Sequence, residues 1–359
     1  GSRLTPPPMS FAPFVALAIA APLAWLLMPL GIRLAWAIGW VDQPEARKLH
    51  KDATAVLGGV VVFASAVIAW AVTLRLTPHS PADWEAWYLL AGAAVTLGIG
   101  LWDDRFGMRP SVKMLGQASA ATMLISAGLV PHIGLPVGIE AAITLVTLVA
   151  LMNAVNFLDN MNGMVGGIAP IAFLGFAWMS IERGANGVAA AQLALAGACI
   201  GFLPHNFPRA RIFLGDAGSL FLGYSLGASA LTTMLGAAPG WGRTGALLIL
   251  AYPAFDMTFV VVTRMRAGRP VYEGGKDHTN HRLASVLKCP KRTVQLVWAS
   301  GAVLCVAGLS MLHLNRPLPT VLLWGLSTIL LFWSGLRLSS VPIVHSASPE
   351  RLERVARER

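Results

Sequence analysis

The sequence contains little charge and little cysteine. Only 12% of its 359 residues are charged, whereas 55% are hydrophobic, and soluble proteins carry about 25% charged residues. So few charges could not cover the surface of a soluble domain of this length, which excludes the soluble enzyme classes. The cysteines, Cys199, Cys289 and Cys305, show no C-x-x-C spacing, which argues against a disulfide framework or a structural zinc site.

The apolar residues are gathered in runs long enough to cross a membrane, which takes about 17 to 25 residues of helix. The sequence predicts eleven spans, at 11–39, 56–76, 86–102, 112–130, 139–157, 164–181, 188–204, 217–235, 244–263, 294–313 and 320–338. The runs are too long for barrel strands and do not alternate. The predicted fold is therefore an all-α integral membrane protein, a polytopic bundle of about eleven transmembrane helices.

The basic residues predict the orientation of this bundle. The net charge is +10, and 21 of the 27 lysines and arginines fall in loops after odd-numbered spans or in the C-terminal tail. Basic residues collect on the cytoplasmic side, so the N-terminus is predicted outside and the C-terminus in the cytoplasm, and nucleic-acid binding is not expected. We predict a flexible N-terminus over 1–10, left by cloning, a single transmembrane domain over 11–338 and a basic cytoplasmic tail over 339–359.

Acidic, amide and imidazole side chains collect at the predicted cytoplasmic face. They are Asp103, Asp104, Asn153, Asn156, Asp159, Asn160, Asn162, Asn206, Asp216, His278 and His281. Carboxylates, amides and basic groups at one rim suit a metal-bound phosphate at the membrane surface. The sequence therefore predicts an active site on this face.

The acidic motifs leave structural alternatives open. Asp103 and Asp104 could bind Mg²⁺, act as a general base, or cap a helix end beside Arg105. Asp216, between two glycines, could bind a metal or serve as the N-cap of the eighth span.

The amide and imidazole motifs leave similar alternatives. Asn153 and Asn156 share a helix face and could bind a ligand or join two helices. His278 and His281 suit a pyrophosphate, but a solvated loop would also explain them. Asp256 lies within the ninth span, so we expect it to pair with a helix-end arginine or to approach the site.

Five loops together carry a recognisable set of motifs. The residues are Val41, Asp42, Pro44, Arg47, Lys48 and His50 with Gly58 and Gly59; Asp103, Asp104, Arg105 and Phe106; Asn153, Asn156 and Asp159; Asn206, Pro208, Phe213, Gly215, Asp216, Gly218 and Ser219; and His278, His281 and Arg282. From about Val41 to Leu287 the chain resembles the polyprenyl-phosphate N-acetylhexosamine-1-phosphate transferase superfamily. It is most similar to the UDP-GlcNAc:undecaprenyl-phosphate GlcNAc-1-phosphate transferase branch of glycosyltransferase family 4, which also has eleven spans.

The resemblance implies an enzyme of the bacterial inner membrane. It would transfer N-acetylhexosamine-1-phosphate, with GlcNAc-1-phosphate the first expectation, from a UDP-sugar to undecaprenyl phosphate. The products would be the diphosphate-linked lipid sugar and UMP, at the first membrane step of a cell-envelope polysaccharide such as O-antigen or teichoic acid. The implied cofactor is Mg²⁺, with Mn²⁺ as an alternative. The implied partners are UDP-N-acetylhexosamine, undecaprenyl phosphate, the lipid bilayer and, as an option, a second copy of the chain in a homodimer.

The resemblance also implies roles for individual residues. The catalytic residues would be Asp103, Asp104, Asp159 and Asp216, the metal ligands Asp216 and Asn156, and the substrate-binding residues Arg47, Lys48, His50, Lys113, Asn153, Asn162, Asn206, Phe213, His278, His281 and Arg282. Asp103 and Asp104 would deprotonate or orient the lipid phosphate, and Phe213 would stack near the uracil. The chain departs from the family at Asn162, where many members have aspartate, and at Asn280, where a histidine is usual.

Two other functions compete with this one. A secondary transporter of an anionic solute would hold its charges near the midplane of the bilayer, within broken helices. An intramembrane prenyltransferase would need spaced aspartate pairs that this sequence does not show. The three activities differ in outcome, since they release UMP, move a solute, or release inorganic pyrophosphate.

Overall fold

The computed structural model describes residues 12–43, 53–76, 84–271 and 275–341. Three predicted features lie outside the described residues. They are the N-terminus over 1–10, the basic tail beyond Val341, and the substrate-binding residues Arg47, Lys48 and His50. Their predicted roles stay predictions.

Helices make up most of the described chain. In order they are α1 (Phe14–Ala37), α2 (Gly58–Leu76), α3 (Trp84–Phe106), α4 (Pro110–Ser126), α5 (Val137–Leu158), α6 (Met164–Glu182), α7 (Asn186–Asn206), α8 (Gly215–Gly236), a 3-10 helix (Trp241–Thr244), α9 (Gly245–Ile249), α10 (Ala251–Arg266), α11 (Thr279–Leu287), α12 (Pro290–Leu314) and α13 (Pro317–Ser339). Two short strands, β1 (Val41–Asp42) and β2 (Thr54–Ala55), pair in antiparallel fashion. The all-α membrane fold is confirmed.

Eight of the described helices are long and apolar enough to cross a membrane, or up to nine if one bent pair counts as a single span. All eleven predicted spans correspond to helical segments, but α4 and α8 are not among these eight. Helix α4 has only 17 residues. Helix α8 has 22 residues but is rich in glycine, serine and threonine, because it packs inside the bundle and presents little surface to lipid.

The predicted ninth span is a broken helix. The 3-10 helix and α9 meet α10 at an angle of 67°, with the break at Leu250. Pro253 follows the break, and its ring has no N–H and excludes the carbonyl four residues earlier from the helical ladder. The break redirects α10, which carries Asp256 and Arg264 as buried polar residues.

Helices α7 and α8 form the centre of the bundle, and nearly every residue of both is buried. Small residues allow this close packing, as is usual between membrane helices. Hydrogen bonds join the C-terminal ends of α3 and α5 and the N-terminal ends of α4 and α8 at one end of the bundle. This is the end where the sequence predicts the site.

The strand β2 fixes the connection between α7 and α8. Phe213 donates its N–H to the carbonyl of Ala55 at 2.7 Å and accepts the N–H of Gly58 at 3.0 Å, and Ile212 forms a parallel bridge with Ala55. The start of α8 is thereby held against the start of α2.

Candidate active site

The N-terminus of α8 is capped by a carboxylate from another helix. Asp104, near the end of α3, accepts the N–H of Asp216 at 2.8 Å on one oxygen and the N–H of Ala217 at 3.0 Å on the other. Gly215 makes this approach possible, because its φ is +75° and a Cβ there would lie 2.6 Å from Asp104 Oδ2. Asp216 is therefore not the N-cap of α8, and its side chain is directed elsewhere.

An ammonium group lies between the other two acids. Lys113 Nζ, from α4, is 2.8 Å from Asp103 Oδ2 and 2.8 Å from Asp216 Oδ2. It also donates to Asn156 Oδ1 at 3.4 Å. Three oxygens from three helices thus surround one cation.

Asn156 extends this cluster. Its amide nitrogen donates to Asp216 Oδ1 at 2.6 Å and to the hydroxyl of Ser219 at 2.8 Å. Ser219 in turn donates to the carbonyl of Gly215 at 3.1 Å. Both oxygens of Asp216 are consequently oriented by protein groups. We call Asp103, Lys113, Asn156 and Asp216 the acidic cluster.

Asp159 lies beside this cluster, just after the end of α5. Burial, and then the negative charge of Asp216, raise the pKa of Asp159 to about 7. Among the described residues its carboxyl group has no hydrogen-bond partner. A half-buried acid that titrates near neutrality and has no protein partner is suited to proton transfer or to ligand binding.

Asn153 makes a contact between helices. It donates to Gln117 Oε1 at 2.7 Å and accepts from Gln117 Nε2 at 3.3 Å, so that α4 and α5 are joined by a reciprocal pair of amides. Asn153 also donates to the carbonyl of Val149 at 2.8 Å. The helix-joining interpretation accounts for these bonds, and its substrate role stays a prediction. Sequence reasoning missed Gln117, although it is a polar residue one helical turn after Lys113.

Asn206 holds two loops together. Its side chain accepts the N–H of Gly163 at 2.5 Å and donates to the carbonyl of Ile212 at 2.9 Å. Asn162 donates to the carbonyl of Pro208 at 3.3 Å in the same junction. Gly163 has a φ of +77° at the start of α6. These bonds hold the loop that follows α5 against the loop that precedes α8, and the substrate roles of both asparagines stay predictions.

A second group of residues is organised by Asp256 of α10. Asp256 Oδ2 lies 2.8 Å from His278 Nδ1. Its Oδ1 accepts the N–H of Thr279 at 2.9 Å and the Thr279 hydroxyl at 2.5 Å. The expectation that Asp256 pairs with a helix-end arginine is therefore wrong, because α11 brings an imidazole and a helix N-terminus to it. Asp256 instead contacts His278, which is one of the predicted site residues.

This second group lies against the end of α5. The ring of His278 contacts Phe157 edge-on at a centroid distance of 6.2 Å and contacts His281 at 6.0 Å. Asn280 donates to Asn160 Oδ1 at 2.9 Å. Burial, and then the charge of His278, lower the pKa of His281 to about 4. His281 is thus a neutral hydrogen-bonding group near pH 7.

Arg282 is engaged by the protein itself. Its Nη1 donates to the carbonyls of Leu338, Ser339 and Val341 at 3.1, 3.1 and 2.7 Å, so the guanidinium caps the C-terminal end of α13. Only 6% of Arg282 is exposed. The predicted substrate-binding role of Arg282 stays a prediction.

A buried ion pair supports the loop before α11. Arg264 donates from Nε and Nη2 to the two oxygens of Asp277 at 2.8 and 2.7 Å. Burial raises the pKa of Asp277, but the hydrogen bonds and positive charge of Arg264 outweigh burial, so the pKa lies below its usual value. The pair is a fixed element beside His278.

Phe213, the predicted uracil platform, is half-buried in the loop that joins α7 to α8. Its backbone bonds to β2 and α2 fix its position. The structure thus brings Asp103, Lys113, Asn156 and Asp216 into contact, places Asp159 beside them, and sets His278 and His281 against the end of α5.

The acidic cluster offers oxygen ligands of the kind that a divalent cation binds. Within the described ranges no three His, Cys, Asp or Glu side chains converge on one point. Two carboxylates and one amide oxygen nevertheless converge on the Lys113 ammonium. Hard oxygen ligands are those that Mg²⁺ uses, commonly with one or two carboxylates and several waters. Asp103, Asp216 and Asn156 fit Mg²⁺ if the ammonium group of Lys113 moves away from their oxygens.

Comparisons with known proteins give a consistent result. The sequence profile of glycosyl transferase family 4 matches residues 86–234. The decaprenyl-phosphate N-acetylglucosaminephosphotransferase of Mycobacterium tuberculosis (strain ATCC 25618 / H37Rv) is 32% identical over 320 residues, which cover 79% of this chain and 78% of that protein.

Two further relatives differ in the sugar that their names specify. The undecaprenyl-phosphate alpha-N-acetylglucosaminyl 1-phosphate transferase of Salmonella typhi is 26% identical over 300 residues, covering 78% of this chain and 79% of the relative. The phospho-N-acetylmuramoyl-pentapeptide-transferase of Desulforudis audaxviator is 29% identical over 337 residues, covering 84% and 98%. The segment that the family profile matches includes the acidic cluster.

Proposed function

Because this chain belongs to glycosyl transferase family 4, we propose that it transfers N-acetylglucosamine-1-phosphate from UDP-GlcNAc to a polyprenyl phosphate such as undecaprenyl phosphate. The products are the lipid diphosphate-linked sugar and UMP. The reaction serves the first membrane step of a cell-envelope polysaccharide. The observation that carries the proposal is the acidic cluster, where Asp103, Asp216 and Asn156 surround one cationic group beside the N-terminus of α8.

Phosphoryl transfer requires positioned charge more than it requires covalent chemistry by the protein. When bound, Mg²⁺, or Mn²⁺ in its place, would offset the negative charge that moves between the phosphates. Asp216, Asp103 and the amide oxygen of Asn156 would hold it. Lys113, once released from the two carboxylates, pairs with phosphate oxygens.

The chain's own residues supply the remaining functions. Asp104 fixes the start of α8, and therefore Asp216, through two backbone bonds. Asp159, with its pKa raised to about 7, is placed to take up or release a proton beside the cluster. The oxygen of the lipid phosphate attacks the sugar-linked phosphorus of the donor directly, and the bond from that phosphorus to the UMP oxygen breaks.

The relatives named for N-acetylglucosamine support UDP-GlcNAc as the donor. The relative named for N-acetylmuramoyl-pentapeptide makes UDP-MurNAc-pentapeptide the second donor to test. The match to glycosyl transferase family 4 supports neither solute transport nor prenyl transfer. The proposed location is the bacterial inner membrane, with the acidic cluster facing the cytoplasm. A homodimer is a further proposal.

Release of UMP by the purified protein tests the proposal. The assay supplies undecaprenyl phosphate, Mg²⁺ and UDP-GlcNAc, UDP-GalNAc or UDP-MurNAc-pentapeptide. We expect release that requires lipid, metal and UDP-GlcNAc, and that is lost in Asp216→Asn. Glu182→Gln is the matched control, because Glu182 lies at the end of α6 and bonds His313, outside the acidic cluster. Failure of the folded wild-type protein to release UMP with any donor would contradict the proposal.

The proposed orientation has its own test. Lys276→Cys, in a background where Cys289 is replaced by serine, introduces a thiol into the loop before α11. A membrane-impermeant maleimide should label it only after the inner face of the membrane is opened. Labelling of this cysteine in intact cells would show that the loop faces outward and would contradict the proposed orientation.

A further inference from the structure

Asp256 is the most completely buried acid near the site, with 0% of its surface exposed. A buried carboxylate is costly unless hydrogen bonds and positive charge compensate it. Both oxygens of Asp256 are compensated by the segment His278–Thr279, through the imidazole, one backbone N–H and one hydroxyl. Tyr252 OH, one turn earlier in α10, lies 3.2 Å from the same Thr279 hydroxyl.

The contact with His278 has a chemical consequence. Carboxylate oxygens only accept hydrogen bonds, so the Nδ1 atom of His278 carries the proton that faces Asp256. The opposite ring nitrogen, Nε2, has no hydrogen-bond partner within the described part of the chain. The carboxylate therefore selects one tautomer and leaves Nε2 for an external group, as partner groups do for ligating histidines.

The surroundings of His278 connect it to the proposed reaction. Its ring packs against Phe157, the residue after Asn156 of the acidic cluster. The next polar contact of α11, Asn280 with Asn160, lies beside Asp159 on the same connection. Helix α11 is thus docked on the segment that carries two predicted site residues.

We propose that Asp256 is a positioning residue that orients His278 toward the diphosphate of the nucleotide-sugar, so that the broken ninth span is part of the donor site. This inference rests on the proposed function. In the protonated form of the imidazole, Nε2–H donates to a phosphate oxygen while Nδ1–H donates to Asp256. In Asp256→Asn the negative charge that stabilises the doubly protonated ring is lost, so the bond from Nε2–H to the phosphate loses its charge assistance.

A double-mutant cycle tests this role, with UDP-GlcNAc affinity measured by calorimetry alongside turnover. Asp256→Asn and His278→Gln should each weaken UDP-GlcNAc binding by about tenfold or more, the size of a lost charge-assisted hydrogen bond. If Asp256 acts through His278, the double variant binds no more weakly than His278→Gln alone.

The matched control is Thr279→Val, which removes the hydroxyl contacts of Asp256 and Tyr252 but keeps the imidazole contact. It should lower the thermal unfolding midpoint and leave UDP-GlcNAc affinity within about threefold of wild type. Normal affinity in Asp256→Asn, or losses that multiply in the double variant, would overturn the proposal. Absence of UDP-GlcNAc binding by the folded wild-type protein would instead contradict the proposed function.

Discussion

Asp104→Asn separates a capping role from direct action on the substrate. The carboxylate accepts two backbone N–H groups at the start of α8. Asparagine keeps one acceptor oxygen, and its amino group would face the second N–H. The variant therefore loses one hydrogen bond to a charged group, about 1.5–3 kcal/mol, and a negative charge at a helix N-terminus, about 0.3–1 kcal/mol.

The expected cost is about 2–4 kcal/mol in the stability of the α8 terminus. If all of it reaches the transition state through a displaced Asp216, turnover falls by about 30-fold to 1000-fold. We also expect a lower thermal unfolding midpoint in detergent without any ligand, because the cap exists before substrate binds.

Asp103→Asn is the matched control, since the adjacent carboxylate pairs with Lys113, which retains Asp216 as a partner, and accepts no backbone N–H of α8. Its unfolding midpoint should stay near that of wild type whatever its turnover. If Asp104→Asn lost turnover but kept the wild-type midpoint, Asp104 would act on the substrate and the capping argument would be refuted.

Three further predictions concern the cation, the pH and the end of the bundle. Lys113→Met removes a positive charge from the acidic cluster and should tighten Mn²⁺ binding, measured by electron paramagnetic resonance, by about tenfold or more while turnover falls; unchanged Mn²⁺ affinity would show that lysine and metal use different oxygens. Since the folded-state pKa of Asp159 is raised to about 7, the folded state holds a proton that the unfolded chain releases near pH 4, so this group's contribution to stability is lost as the pH rises from about 4 to about 7. Asp159→Asn should make the thermal unfolding midpoint depend less on pH over this window. An unchanged slope of the midpoint against pH would contradict the raised pKa. Arg282→Met should lower the midpoint by an amount equivalent to about 2–3 kcal/mol, because three carbonyls at the end of α13 lose a charged donor; a normal midpoint with weakened UDP-GlcNAc binding would assign the guanidinium to the substrate.

The membrane spans could be predicted because hydropathy is a local property. Spans that alternate in direction also place the ends of α3 and α5 with the starts of α4 and α8, and this is how the sequence predicts one polar face. The break at Leu250 could not be predicted in the same way. Prolines at 22 and 29 lie within the continuous α1, so a proline alone does not decide where a membrane helix breaks.

The partners of the polar residues depend on contacts that are distant in sequence. Asp104 and the N–H of Asp216 are separated by 112 positions, and nothing in either local motif indicates that one caps the helix of the other. The contact between Asp256 and His278 crosses 22 positions, from α10 to the start of α11. Residue types at these positions therefore predicted a site, whereas the partner of each carboxylate depended on helix packing.

The carboxylates of one site consequently have different functions that a motif cannot distinguish. Asp104 binds backbone N–H groups, Asp103 and Asp216 bind a cation, Asp256 binds an imidazole, and Asp159 has no partner within the described residues. Replacement of each by asparagine could abolish turnover, so turnover alone does not assign a role. Three other measurements separate these carboxylates, because each depends on a different contact. Stability without ligand reports on the cap made by Asp104, affinity for Mn²⁺ on Asp103 and Asp216, and affinity for UDP-GlcNAc on Asp256 and its imidazole.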